Sequence, residues 1–227
     1  MSIFLETLSQ ANEVYVKQKI ELGEMLGYGQ KFEIAEVFGF KTRSTYQIQT
    51  DDGQQFGYCA EPNLDFGDAI KRQFLGRYRV FNIVGTDMKN QRVFRIYHPF
   101  RWFLQRLDVF GAGDRPVGSL QQRFAWFNNK FEFLDTRGRV VMTLTLSHRK
   151  YWKYWKSSIK KGEREVSVIE KTEKKWSGFS DFFTDPDHFR VRFIDIRLTT
   201  NEKLLLLAGA VFVDLLYFET KPSPIQI

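Results

Sequence analysis

Arg149–Lys161 is the stretch whose residue types and spacing most clearly suggest chemistry. It holds six basic residues (Arg149, Lys150, Lys153, Lys156, Lys160 and Lys161), no acidic one, and four rings, Tyr151, Trp152, Tyr154 and Trp155. Trp and Tyr are amphipathic and settle where lipid headgroups meet water, and each lysine near an anionic leaflet contributes on the order of 1 kcal/mol. The pattern points to an anionic phospholipid surface. Rings and lysines also suit stacked bases and phosphates, so nucleic acid is the alternative partner. A hairpin whose rings pack on the fold while its lysines solvate gives the same pattern. The interleaving of Trp and Tyr favours lipid over nucleic acid.

Bond-making chemistry has no comparable signature. The chain carries no Gly-rich phosphate loop, nucleophile elbow or histidine metal motif, and no residue is assigned a catalytic role. His98, His148 and His188 are scattered, and one cysteine, Cys59, excludes an internal disulfide and a cysteine-based zinc site. Asp65, Asp68 and Asp87 read as solvated loop residues. The 227 residues suffice for a sizeable core: 43% are hydrophobic and 23 are Phe. A net charge of +7 favours anionic partners. Met1-Ser-Ile-Phe-Leu-Glu6 lacks the basic start and apolar core of a secretory signal, which gives an intracellular expectation.

The elements that must position these residues are mostly short strands. Tyr46-Gln-Ile-Gln-Thr50 alternates and meets Asp51-Asp-Gly53, a hairpin-type turn. Tyr78–Asn82, Phe94–Tyr97, Leu107–Phe110, Phe131–Leu134, Val140–Thr145 and Val166–Glu170 repeat the theme. Together they predict a meandering antiparallel sheet, closed or nearly closed, in one domain.

One run breaks the pattern. Leu204–Phe218 contains a single charge, Asp214. As a helix it is about 22 Å long, against a bilayer core of about 30 Å. It is a short membrane span or a helix buried on every side. As a span, its flanks (Arg197 and Lys203 before, Lys221 after) put the N-terminal bulk in the cytoplasm. Its shortness and Asp214 favour burial, with Asn201 and Glu202 as helix-start residues and Asp214 hydrogen-bonded inside the fold. A barrel of about twelve strands has a lumen that such a helix would fill. In that arrangement Leu204, Leu207, Val211, Asp214, Leu215 and Phe218 form the core helix.

Further residues carry a resemblance: Leu5-Glu-Thr-Leu-Ser-Gln10, Val16-Lys-Gln-Lys-Ile-Glu-Leu-Gly-Glu24, Tyr46-Gln-Ile-Gln49, His98-Pro-Phe-Arg101 and Pro116-Val-Gly118. Lys175-Trp-Ser-Gly178, Phe183-Thr-Asp-Pro-Asp-His-Phe189 and Ala210-Val-Phe-Val-Asp-Leu-Leu-Tyr-Phe-Glu219 add to them. In this order they make the chain resemble the phospholipid scramblase family, which shares the tubby-like fold. The resemblance covers residues 5–219, one domain, and leaves 220–227 as a short tail. It implies a closed antiparallel β-barrel of about twelve strands around a central hydrophobic C-terminal α-helix. It also implies membrane association, calcium-stimulated phospholipid movement between leaflets and, in some members, DNA binding.

Relatives carry cysteine-rich, lipid-modified loops where this chain has Trp102-Phe-Leu-Gln-Arg106 and His148–Lys156. Acyl anchoring through those loops is therefore ruled out. Trp102 and Phe103, with the Arg149–Lys161 stretch, are expected to replace it at the membrane. The segment matching the family's calcium stretch is Asp185–Ile196, whose carboxylates are Asp185, Asp187 and Asp195. An EF-type loop wants Gly sixth and Glu twelfth, where this segment has Arg190 and Ile196. Phe189, Val191 and Phe193 alternate as a strand instead. A turn entering a strand is therefore favoured over a Ca2+ site.

Overall fold

Alternation with period two builds the sheet. In a computed structural model, which describes residues 2–19, 42–62, 80–126, 128–147, 155–172 and 188–217, twelve strands follow one another. They are β1 (Glu13–Lys19), β2 (Thr42–Gln49), β3 (Gln55–Pro62), β4 (Phe81–Asp87), β5 (Arg92–His98) and β6 (Arg106–Gly111). Then come β7 (Pro116–Arg123), β8 (Asn128–Leu134), β9 (Val140–Ser147), β10 (Lys156–Lys161), β11 (Arg164–Thr172) and β12 (His188–Phe193). Each pairs antiparallel with its neighbour in sequence, and β1 pairs with both β2 and β12, closing the barrel. Closure leaves no exposed sheet edge. Helix α1 (Ile3–Gln10) precedes the sheet and α2 (Thr200–Tyr217) follows it.

The expected hairpin forms at Thr50–Gln54, where Gly53 takes φ 86° and its N–H donates to the Thr50 carbonyl at 3.0 Å. Asp87 departs from the solvated-loop expectation. It ends β4, is buried, and its carboxylate accepts from the backbone N–H groups of Lys89 and Gln91, both at 2.9 Å. A short acidic side chain here satisfies the donors of the β4–β5 turn.

Helix α2 lies in the lumen. Every residue from Lys203 to Leu216 is buried. Its Phe212 ring packs against Phe81, His98 and Phe131, and the Tyr46 hydroxyl donates to Asp214 at 2.8 Å. No helix among the described residues is long and apolar enough to cross a membrane. The helix begins at Thr200, one residue before Asn201, and Thr199 and Glu202 form a capping box at its start. The Thr199 N–H donates to the Glu202 carboxylate at 2.9 Å, and the Glu202 N–H to the Thr199 hydroxyl at 3.3 Å.

Two glycines set how closely helix and wall approach. A Cβ on Gly209 would stand 3.2 Å from Leu120 and Phe133, and one on Gly118 only 2.3 Å from the Leu134 carbonyl oxygen and 3.1 Å from Leu205. This is why Pro116-Val-Gly118 needs its glycine. Helix α1 covers the mouth where α2 starts. Phe4 sits against Phe56 and Phe94, and the Lys203 ammonium donates to the carbonyls of Ser9 and Ala11, both at 2.7 Å.

Gly118→Ala is expected to lower stability by about 1–3 kcal/mol through overpacking, read as a shift in denaturant midpoint. A pH series tests the cap. Burial alone raises the Glu202 pKa, but hydrogen bonds to its ionised form from Lys161 and Thr199 outweigh this and hold it below the ordinary glutamate value. A depressed folded pKa stabilises above the unfolded value and loses that contribution as pH falls through the folded one. Glu202→Gln is therefore expected to be less stable than wild type at neutral pH, with the gap closing in acid.

Candidate functional site

In an up-and-down barrel alternate connections share a rim. The rim opposite α1 receives 99–105 between β5 and β6 and 124–126 between β7 and β8, and α2 ends there at Leu216 and Tyr217. The other rim has tight turns, such as Gly162 and Glu163 between β10 and β11. At the first rim Trp102 is 63% exposed, Phe103 85%, Phe124 71% and Trp126 84%. These exposures are large for four neighbouring rings, and an apolar cluster of this kind marks a protein or membrane contact. The rings pair edge-on, Phe100 with Trp102 at 5.3 Å and Phe124 with Trp126 at 5.4 Å between centroids. Between the two loops lies a cleft of about 430 Å³, floored by Leu216 and Tyr217.

A buried polar chain holds the loops. β5 stops at His98 because Pro99 has no N–H to continue the ladder. The His98 ring stacks on Phe81 with centroids 4.6 Å apart, and its Nε2 donates to the Gln105 side-chain oxygen at 2.9 Å. The Gln105 amide in turn donates to the Arg101 carbonyl at 3.2 Å, bracing the loop across its base. The Gln105 N–H donates to the Gln122 side-chain oxygen at 3.1 Å, and Gln122 donates to Asn129 at 3.2 Å. One network therefore joins both loops. Leu104 takes φ 50°, a left-handed conformation that costs an L residue about 1–2 kcal/mol and that this bracing sustains.

The structure separates the residues singled out in the sequence. Trp102 and Phe103 stand on the aromatic rim. Lys156 begins β10 at the same rim and is exposed. Trp155 is half-buried, its ring edge-on to Phe189 at 6.1 Å. Lys160 and Lys161 lie at the far end of β10, where Lys161 pairs with Glu202 at 2.6 Å. Arg149, Lys150, Trp152 and Lys153 lie outside the described residues, as do Asp185, Asp187 and Phe218.

Asp195 follows β12 at the far rim and pairs with Arg164 at 2.6 Å and Arg197 at 3.0 Å. Among the described residues no three His, Cys, Asp or Glu gather into a group that could hold a metal ion. Leu204, Leu207, Val211, Asp214 and Leu215 all lie within the buried length of α2. Cys59 is buried, and burial pushes its thiol pKa far up, so it is not a reactive thiol.

Phe124 and Trp126 are functional candidates that sequence reasoning did not find. Arg123-Phe-Ala-Trp126 alternates like the end of a core strand, and only the ladder's stop at Arg123 turns it into a loop.

The Scramblase family profile matches residues 1–220, and the chain belongs to that family. Phospholipid scramblase 1 of Rattus norvegicus is 27% identical over 231 residues, which cover 95% of this chain and 62% of the rat protein. Phospholipid scramblase 1 of Homo sapiens is 26% identical over 238 residues, 98% of this chain and 68% of the human protein. A phospholipid scramblase family protein of Schizosaccharomyces pombe is 24% identical over 192 residues, 79% of this chain and 49% of that protein. The chain thus spans less than two thirds of the rat relative's length. No solved structure matches it.

Gln105→Ala is expected to cost about 1–3 kcal/mol by leaving buried partners unsatisfied. Faster proteolysis at 99–105 and 124–126 than elsewhere in the chain is the accompanying readout, because both loops lose their common brace.

Proposed function

We propose that this Scramblase-family protein binds phospholipid bilayers peripherally through the rim that carries Trp102, Phe103, Phe124 and Trp126. In this reading residues 5–219 act as one domain, anionic leaflets are preferred, and docking is at the cytoplasmic face. The protein takes part in moving lipid between leaflets, which breaks no covalent bond. The observation carrying the reading is the exposure of these four rings on one braced rim.

Magnitudes indicate what else is needed. A ring moved from water into the interface gains on the order of 2 kcal/mol. Four rings together gain roughly 8 kcal/mol, comparable with the ~4–15 kcal/mol of freedom lost on association. The apolar rim alone is therefore marginal, and lysines contributing on the order of 1 kcal/mol each tip the balance. Lys156 on this rim and the basic residues of 149–153 supply them in this reading. α2 does not enter the bilayer, because its apolar length is committed to the lumen, and only its last residues, Leu216 and Tyr217, reach the rim.

Purified protein is expected to float with acidic liposomes, less with neutral ones, and less at high salt, where exposed charges are screened. The substitutions Trp102→Ala and Trp126→Ala together are expected to weaken binding at least tenfold, since about 1.4 kcal/mol is a factor of ten. Undiminished flotation of that double variant, or salt-dependent retention on DNA without lipid preference, overturns the proposal.

A further inference from the structure

The cleft beside the aromatic rings has a lining that a flat anchoring surface does not need. Its walls are Trp102, Phe103 and Leu104 on one side and Phe124 and Ala125 on the other, and its floor is Leu216 and Tyr217. Its volume of about 430 Å³ lies within the ~300–1,000 Å³ of small-ligand sites. The lip is cationic. Arg123 lines it, 42% exposed, and Lys130 faces Arg123 in register across β7 and β8. Glu132 pairs with Arg123 at 2.6 Å and lies 3.7 Å from Lys130, so two positive charges share one negative one.

An apolar trough under a lip of net positive charge is complementary to an amphiphile whose anionic group adjoins its hydrocarbon. A purely apolar ligand leaves Arg123 unused, and a purely polar one leaves the Trp102, Phe103 and Phe124 rings facing water. The trough does not continue into the lumen, because α2 fills it. A chain entering from the bilayer therefore lies along the rim, with its phosphodiester toward Arg123.

We propose that the cleft between 102–105 and 122–125 takes an acyl chain of a single phospholipid, with the lipid phosphate at the Arg123 lip. This rests on the lipid-docking reading above, and it makes the rim a site for one lipid molecule as well as an anchor.

Calorimetric titration of the full chain with dihexanoyl phosphatidylglycerol, kept monomeric below its micelle concentration, tests this. Saturable one-to-one binding is expected, with no heat from glycerophosphoglycerol, which has the headgroup and no chains. Ala125→Phe, which fills the trough, is expected to weaken binding at least tenfold. A hexanoyl lipid with terminal bromines is expected to quench tryptophan emission in the wild-type protein, and less in Trp102→Phe/Trp126→Phe. Quenching needs no trough-filling variant, so the test stands even where Ala125→Phe does not fold. Wild-type protein that floats with acidic liposomes yet neither binds nor is quenched by the monomeric lipid overturns the cleft and leaves the anchor reading standing. Equal binding of glycerophosphoglycerol, or undiminished binding by folded Ala125→Phe, also overturns it. Failure of the wild type to float removes the anchor reading itself.

Discussion

A twelve-stranded barrel encloses more space than its own inward side chains can fill, and that constraint governs the molecule. Helix α2 supplies the missing volume and is apolar around its whole circumference for that reason. Its lumen contacts reach well-separated strands: Tyr46 on β2, His98 on β5, Gly118 and Leu120 on β7, and Phe131 and Phe133 on β8. Each has to suit the helix, so the Phe133 ring faces Gly209 of α2 and Gly118 of the wall faces Leu205. Close packing of this kind leaves little tolerance for a change of volume on either side.

Filling the lumen also divides labour between the two rims. Where α2 begins, α1, the Lys203 ammonium and the Thr199–Glu202 box satisfy the exposed backbone groups and seal the mouth. Burial holds the Lys203 pKa below the ordinary lysine value, and its position above the Phe193 ring at 4.9 Å adds a cation–π contact. Where α2 ends, the longer connections carry rings into solvent on a frame kept rigid by His98, Gln105, Gln122 and Asn129. A rigid barrel presenting loops at one end is a common way for a fold to carry a binding surface.

Much of the barrel was legible in the sequence because most of its strands are buried on one face and alternate cleanly, as in Phe94–Tyr97 and Val140–Thr145. The internal helix was legible because no surface element tolerates so many consecutive apolar residues. β3 and β7 were not. β3 runs Phe56-Gly-Tyr-Cys-Ala-Glu61, where residues on both faces are buried because α1 covers one end, so alternation is lost. β7 presents Ser119 and Gln122 where an apolar pattern would be sought. The rim was half legible. Trp102 and Phe103 follow a proline and read as a loop, while Phe124 and Trp126 mimic a strand. Lys160 and Lys161 looked continuous with the rings at 151–155, yet a β-strand rises about 3.3 Å per residue and carries them to the other end of the barrel.

The tie between Lys203 and the carbonyls of Ser9 and Ala11 spans 194 and 192 residues of sequence, and β1 closes the sheet by pairing with β12. The contacts that complete the fold are thus among the most distant the described chain can make. Topologies dominated by such contacts fold slowly, since loop-closure entropy is lost before the reward arrives. During synthesis all twelve strands precede the helix that fills them, so a nascent barrel has inward-facing rings and nothing to pack against. Apolar surface left open in this way is prone to aggregate or to recruit chaperones. The same helix that makes the finished barrel solid therefore makes its assembly a single late event.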